Sequence, residues 1–430
     1  MKNLLFALLL ANFAPGSALA QALPSGKTGV IPEITAAPAA RPDRLILPLQ
    51  KKKWTVMIYI NGKNNLGGIG WYNFDQIEQA GSDGATNIVV EIGAANTNEK
   101  REIIDYAPVE LLYPVSGGKT VTLASRDNVD MGDWKELVRF AGYAKKNFPA
   151  DNYMLIIWGH GTGWQSSDYG KQVQGTAPRD GEALGRAVLL DDQTGNHITT
   201  IELRAALKAM GGVDVLAYNS CLMADIGVTA EISKYADYIA GSEEIFWGPM
   251  DFEIFLKAFH ALPGISARQA AILFIDSYTD DFRDRNDQDI TASVIDTSRI
   301  PPLAKAIKDF VPVALVSPDK AALQNAYRMV NAFRNPSECD LYDFVKLAAD
   351  TTDPRLKTAA QRVMDSISSA VIKNSTVGLH VGKAHGISAY LPLKNYDGEF
   401  EQLMFDKYTG WSRLIKYLMA DIPADQQAGQ

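Results

Sequence analysis

The chain has 430 residues, 47% of them hydrophobic and 21% charged, with a formal net charge of −8. That balance describes an ordinary globular protein of roughly two to three domains. Its acidity argues against nucleic-acid binding, which is driven by neutralising phosphates.

The first 20 residues form a targeting segment. Lys2 supplies a positive flank, Leu4–Leu10 an apolar stretch, and Ala18-Leu19-Ala20 a small-residue cleavage site. The mature chain is expected to begin near Gln21 and to be exported, as a periplasmic or secreted protein. No later apolar run approaches the roughly 18 residues of a membrane span. Residues 21–50 hold Pro24, Pro32, Pro38, Pro42 and Pro48 among many alanines, the composition of an extended linker or pro-segment.

Short apolar runs then alternate with helical patterns. Trp54–Ile60 is a predicted strand, followed by the turn-rich Asn61-Gly62-Lys63-Asn64-Asn65. Asn87–Ile92 is a second strand. Trp134–Asn147 has helical spacing and precedes a strand at Tyr153–Trp158. Ile201–Met210 is a short amphipathic helix with Thr199 or Thr200 as its cap. Val213–Tyr218 is a strand, Ala224–Tyr235 a helix and Tyr238–Gly241 a further strand. The alternation predicts an α/β fold with a mostly parallel sheet flanked by helices, over 51–265. Beyond 266 the pattern turns helical at Ala267–Tyr278, Pro301–Val316, Ala321–Phe333 and Leu356–Lys373. One strand near 386–391 is expected to return to the main sheet from this helical C-terminal subdomain.

Two strands end on reactive residues. The run at Tyr153–Trp158 leads to His160-Gly161, and the run at Asp214–Tyr218 leads to Cys221. Neighbouring parallel strands place both at their carboxyl ends, where open α/β sheets bind ligands. Alone, the histidine is a sheet-edge residue and the cysteine a small core hydrophobe; together they fit a Cys–His dyad. Gly161, lacking a side chain, lets a substrate carbonyl approach a backbone N–H. The predicted helix after Cys221 favours a thiolate through its N-terminal dipole.

Other motifs carry less. Gly159-His160-Gly161-Thr162-Gly163-Trp164 fails the dinucleotide fingerprint at its sixth position, and a polar loop follows it instead of a helix. Asp191, Asp192 and His197 are better explained as a tight connection before the Ile201 helix than as metal ligands, and no cluster points to structural zinc. In an oxidising compartment Cys221 and Cys339 invite one disulfide. Their placement, one after a buried strand and the other in a polar loop, argues against it.

The segments around these residues resemble the clostripain family of cysteine peptidases, in the clan that also holds caspases, gingipains and legumains. The likeness runs over most of 52–252. It is carried by Lys52–Tyr59, Asn64-Asn65-Leu66, Asn128–Trp164, Asp191–Thr194 with Ile201-Glu202-Leu203, Cys221-Leu222-Met223, Tyr235–Tyr238 and Gly241–Glu244, with a late strand at Gly386–Pro392.

The resemblance implies a caspase-like fold and a cysteine endopeptidase acting on a protein or peptide substrate. It makes Cys221 the nucleophile, His160 its partner, and the amides of Gly161 and Cys221 the oxyanion hole. No third catalytic residue is required. It implies substrate contacts at Asn219, Ser220, Ser242, Trp247 and Asp251. The family's acid two residues before the nucleophile is here Asn219, which puts a preference for basic residues in question. Self-cleavage between the catalytic residues is implied too, with Lys171, Arg179 and Arg186 as cut sites. No cofactor is required, and calcium enters by resemblance only. A catalytically silent binding domain of the same fold, and an acyl transferase or ligase using the same thiol, are the alternatives.

Overall fold

A computed structural model describes residues 49–98, 102–164, 188–248, 250–283 and 288–420. The expected leader at 1–20, nearly all of the expected linker, and the basic positions Lys171, Arg179 and Arg186 lie outside the described residues. The first half runs β1 (Lys52–Gly62), α1 (Gly67–Ala80), β2 (Thr86–Thr97), β3 (Ile103–Tyr106), β4 (Val109–Val115), β5 (Lys119–Arg126), α2 (Trp134–Asn147) and β6 (Ala150–Trp158). Then come β7 (Val188–Asp191), β8 (Asn196–Ile198), α3 (Thr200–Ala209), β9 (Val213–Asn219), α4 (Ile226–Ile232), β10 (Ala236–Gly241), α5 (Phe252–His260) and α6 (Ala267–Arg283). The remainder is β11 (Ile290–Asp296), α7 (Ile300–Leu315), α8 (Lys320–Met329), β12 (Glu338–Asp340), α9 (Leu341–Ala348), α10 (Pro354–Ala370), β13 (Val371–Val377), β14 (Ser388–Tyr390), α11 (Met404–Thr409) and α12 (Trp411–Met419).

One large sheet has the order β13-β11-β10-β9-β6-β1-β2-β4-β5, with β3 added to β2. Its centre, β10-β9-β6-β1-β2, is parallel throughout. The wings are antiparallel: β4 and β5 on one side, β11 and β13 on the other. The parallel strands are apolar on both faces because helices cover both. Trp54, Val56, Ile58 and Ile60 pack into a core with Phe74 and Ile77 of α1, Phe255 of α5 and Phe274 of α6. The alternate residues face the other way, where the ring of Tyr59 lies 5.7 Å from that of Phe140 in α2. Val56, Met57, Ile58, Tyr59 and Ile60 are all 0% exposed. Burying each large side chain contributes roughly 1.5–3 kcal/mol, which makes β1 the anchor of the fold.

Local signals set the element ends. Thr199 caps α3 in a capping box: its side chain accepts from Glu202 N, and the Glu202 carboxylate accepts from Thr199 N at 3.0 Å. Several expectations change; the helix expected over Leu356–Lys373, for one, ends at Ala370, and β13 begins at Val371. The strand near 386–391 is β14, and it pairs with β12 in a separate two-stranded sheet. The C-terminal part instead gives the main sheet β11 and β13. The helix expected from Ala224 starts only at Ile226, capped by the Asp225 side chain. Ala224 cannot join it, because its N–H donates to Ser242 O and its carbonyl accepts from Ser388 N.

Candidate active site

Register brings the two reactive residues together. β6 and β9 are hydrogen-bonded neighbours with Trp158 opposite Asn219. His160 and Cys221 each follow two residues later, so they leave adjacent strands at matching positions. The turns that carry them touch. A Cβ placed on Gly161 would lie 2.5 Å from Cys221 O and 3.2 Å from Cys221 N, so only glycine allows this approach. Gly159 N donates to Asn219 O at 3.3 Å, binding the turns once more. After the cysteine, Leu222 adopts φ 63°, an uncommon conformation for a branched residue. Its N–H donates to Glu244 O at 3.2 Å and its side chain is fully buried, which holds the turn in place.

The thiol is guarded. Cys221 Sγ accepts the N–H of Phe246 at 3.3 Å, and Phe246 stacks on Tyr278. Burial pushes the thiol pKa up to about 11; the Phe246 amide works against this, and the Glu244 charge adds to it. The dipole of α4 gives no help at that distance, since the helix starts five positions after the cysteine and spans only Ile226–Ile232. His160 is half-buried, and its Nε2 stands 2.7 Å from Asn65 Oδ1. Cys221 and Cys339 are both free thiols.

The substrate-contact residues differ in placement. Asn219 closes β9, buried, with no hydrogen-bond partner on Nδ2 among the described residues. Trp247 is half-buried beyond Phe246, its N–H donates to the Tyr278 hydroxyl, and Arg334 lies over its ring at 4.9 Å. The other three serve the scaffold. Ser220 Oγ donates to Ile157 O at 3.3 Å, and Ser242 Oγ bonds Glu244 O and Thr291 Oγ1, both at 2.9 Å. Asp251 caps α5 by accepting from Ile254 N.

Residues that sequence reasoning passed over also line this region. Glu244 is buried with its oxygens accepting Ile245 N and Arg334 N, and burial raises its pKa. No local signal links Arg334 to the site, whereas Asn65 lies in the turn after the first strand, in a segment that carries the resemblance. Trp164 packs against Tyr390 and Phe400, and Val188 bridges Gly161.

Asp191 is fully buried, pairs with Lys63 at 3.1 Å and accepts from Met131 N, Gln193 N and Thr194 N. It shapes a tight connection of the expected kind. Among the described residues no group of three or more His, Cys, Asp or Glu side chains could hold a metal ion. No helix among those residues is long and apolar enough to cross a membrane.

Comparison with known proteins gives this geometry its context. The family model of the clostripain family matches residues 58–418. Clostripain of Hathewaya histolytica is 26% identical over 230 residues, which is 46% of this chain and 40% of that protein's length. A secreted C11 cysteine protease of Bacteroides thetaiotaomicron, solved with an irreversible peptide inhibitor, superposes with a TM-score of 0.64 at 18% identity. The match covers 84% of this chain and 99% of the other. An inactive zymogen C11 protease of Parabacteroides distasonis gives a TM-score of 0.62 at 16% identity, covering 85% and 99%.

Proposed function

Because the chain belongs to the clostripain family, we propose that it is an exported cysteine endopeptidase with Cys221 as nucleophile and His160 as base. The observation that carries the reading is the matched emergence of the two residues from β6 and β9, with Gly161 against the Cys221 backbone.

In the mechanism, a thiol with a pKa of about 11 is protonated at neutral pH. His160 therefore takes its proton as attack on the scissile carbonyl proceeds. For this the thiol leaves the Phe246 amide and turns to the imidazole. The amides of Gly161 and Cys221 stabilise the oxyanion, each contributing about 3 kcal/mol. The imidazolium protonates the leaving amine, and water then hydrolyses the thioester.

The substrate lies along Ser242–Trp247, the continuation of β10 on the side of Cys221 away from β6. Asn219 carries no charge and the Arg334 guanidinium offsets the Glu244 carboxylate, which leaves this edge close to neutral. Residues other than Lys and Arg are accordingly favoured at the cleavage position. Self-cleavage within 165–187, at Lys171, Arg179 or Arg186, belongs to the same proposal and is the slower reaction for that reason. The test is Cys221→Ala, assayed for peptide hydrolysis and for intact mass after storage. Loss of both is expected, and hydrolysis persisting in a protease-free preparation contradicts the reading.

A further inference from the structure

A dyad works only if its imidazole is held in one tautomer and one orientation. Asn65 stands where that can be done. In the sheet register Ile60 lies opposite Trp158, and Trp158 opposite Asn219. Asn65, His160 and Cys221 therefore follow the carboxyl ends of three adjacent parallel strands. The turn bearing Asn65 is tied down on both sides. Asn61 Nδ2 donates to Leu189 O at 2.9 Å, and Asn64 Nδ2 donates to Leu190 O at 2.8 Å. Lys63, almost fully buried, pairs with Asp191 at 3.1 Å. The same β7 segment holds the histidine turn, since Leu189 N donates to His160 O at 2.9 Å. Asn65 is exposed, so the core does not need its side chain. What its Oδ1 does is meet His160 Nε2 at 2.7 Å.

We propose that Asn65 is a third member of the catalytic constellation, a positioning residue whose carbonyl oxygen accepts the Nε2–H of His160. An amide oxygen only accepts, so Nε2 carries the hydrogen and Nδ1 is the nitrogen that exchanges protons with substrate and thiol. The proton of Cys221 Sγ passes to Nδ1 as the S–C bond forms. The imidazolium keeps its Nε2–H on Asn65, and the Nδ1 proton goes to the amine nitrogen as the C–N bond breaks. A water proton then returns to Nδ1 and on to Sγ as the thioester C–S bond is cleaved. Asn65 takes no proton at any step. The inference rests on the Cys221–His160 reading.

The experiment compares Asn65→Ala, Asn65→Asp and Cys221→Ala in kcat and KM for one peptide substrate across pH 5 to 9. Asn65→Ala is expected to lower kcat by about 10–100-fold with KM little changed, part of the 10²–10⁴ that general acid–base catalysis supplies. Asn65→Asp keeps the acceptor and adds a charge that favours imidazolium. It is expected to restore most of the activity and to move the acid limb of kcat/KM up by about one pH unit. Asn65→Ala with unchanged kcat and pH profile overturns the proposal. So does Asn65→Asp with activity as low as Asn65→Ala and the acid limb unmoved, which also covers an alanine variant that folds poorly. Hydrolysis surviving in Cys221→Ala would instead sink the dyad reading itself, so the two failures are distinguishable.

Discussion

The turn that carries His160 and the turn that carries Cys221 leave adjacent strands in step, yet they are built in different ways. The histidine turn is held by backbone bonds from Leu189 and to Asn219, and in addition a side chain, Asn65, meets the ring. The cysteine turn is held by backbone: Leu222 in a left-handed conformation, Glu244 O on its N–H, and the Phe246 amide on the thiol. Both residues are half-buried; what differs is the contact, an amide side chain on the ring and a backbone amide on the thiol. Activation is then mainly a matter of the thiol leaving the Phe246 side, not of assembling the histidine.

The largest break in this comparison is His160→Ala. It removes the only base the mechanism uses, so kcat is expected to fall by at least about 10³-fold, toward the scale of losing a triad member. A steady-state assay on a folded variant measures it; a loss below tenfold would mean another group takes the proton. Gly161→Ala comes next, because its Cβ would meet Cys221 O at 2.5 Å and part the two turns. The expected loss in kcat is about 10²-fold or more, comparable to losing one oxyanion donor. An unchanged kcat would show that the turns need not touch.

Asn219→Asp sharpens the comparison on the nucleophile side. A carboxylate there is expected to shift a peptide-library profile toward Lys and Arg at the cleavage position and to raise the thiol pKa further. A strictly Lys/Arg profile in the unmodified protein would contradict the neutral edge. The resting thiol gives a pH test without mutation. With its pKa near 11, alkylation by iodoacetamide should rise steadily from pH 7 to 9, since only thiolate reacts. A plateau below pH 8 would show a preformed ion pair with His160. The smallest effect is Ser242→Ala, which removes a hydroxyl bridging Glu244 O and Thr291 Oγ1. About 1–2 kcal/mol of stability is expected to go, read from thermal melts.

How much of this was legible in the chain follows from burial. β1, β6 and β9 stand out as apolar runs because both faces are covered, and α2 matches its expected limits of Trp134 and Asn147. β5 is hidden because Lys119–Arg126 is partly exposed and polar at an edge. β11 is buried but interrupted by Thr291 and Ser293, whose hydroxyls serve tertiary bonds that no local pattern reveals. The helix after Cys221 was overextended because Ala224 has helical propensity but answers to Ser242 and Ser388. His160 and Cys221 were visible as strand-end reactive groups. Arg334 was not, because only tertiary packing brings it to Trp247.

The most direct measurement is the location of the acyl-enzyme. The mature protein is mixed with a peptide ester, quenched in acid within the first turnover, digested and mapped by tandem mass spectrometry. The account predicts an acyl adduct on Cys221, absent in Cys221→Ala and slow to form in His160→Ala. An adduct on Cys339, or hydrolysis without any adduct on Cys221, would contradict it.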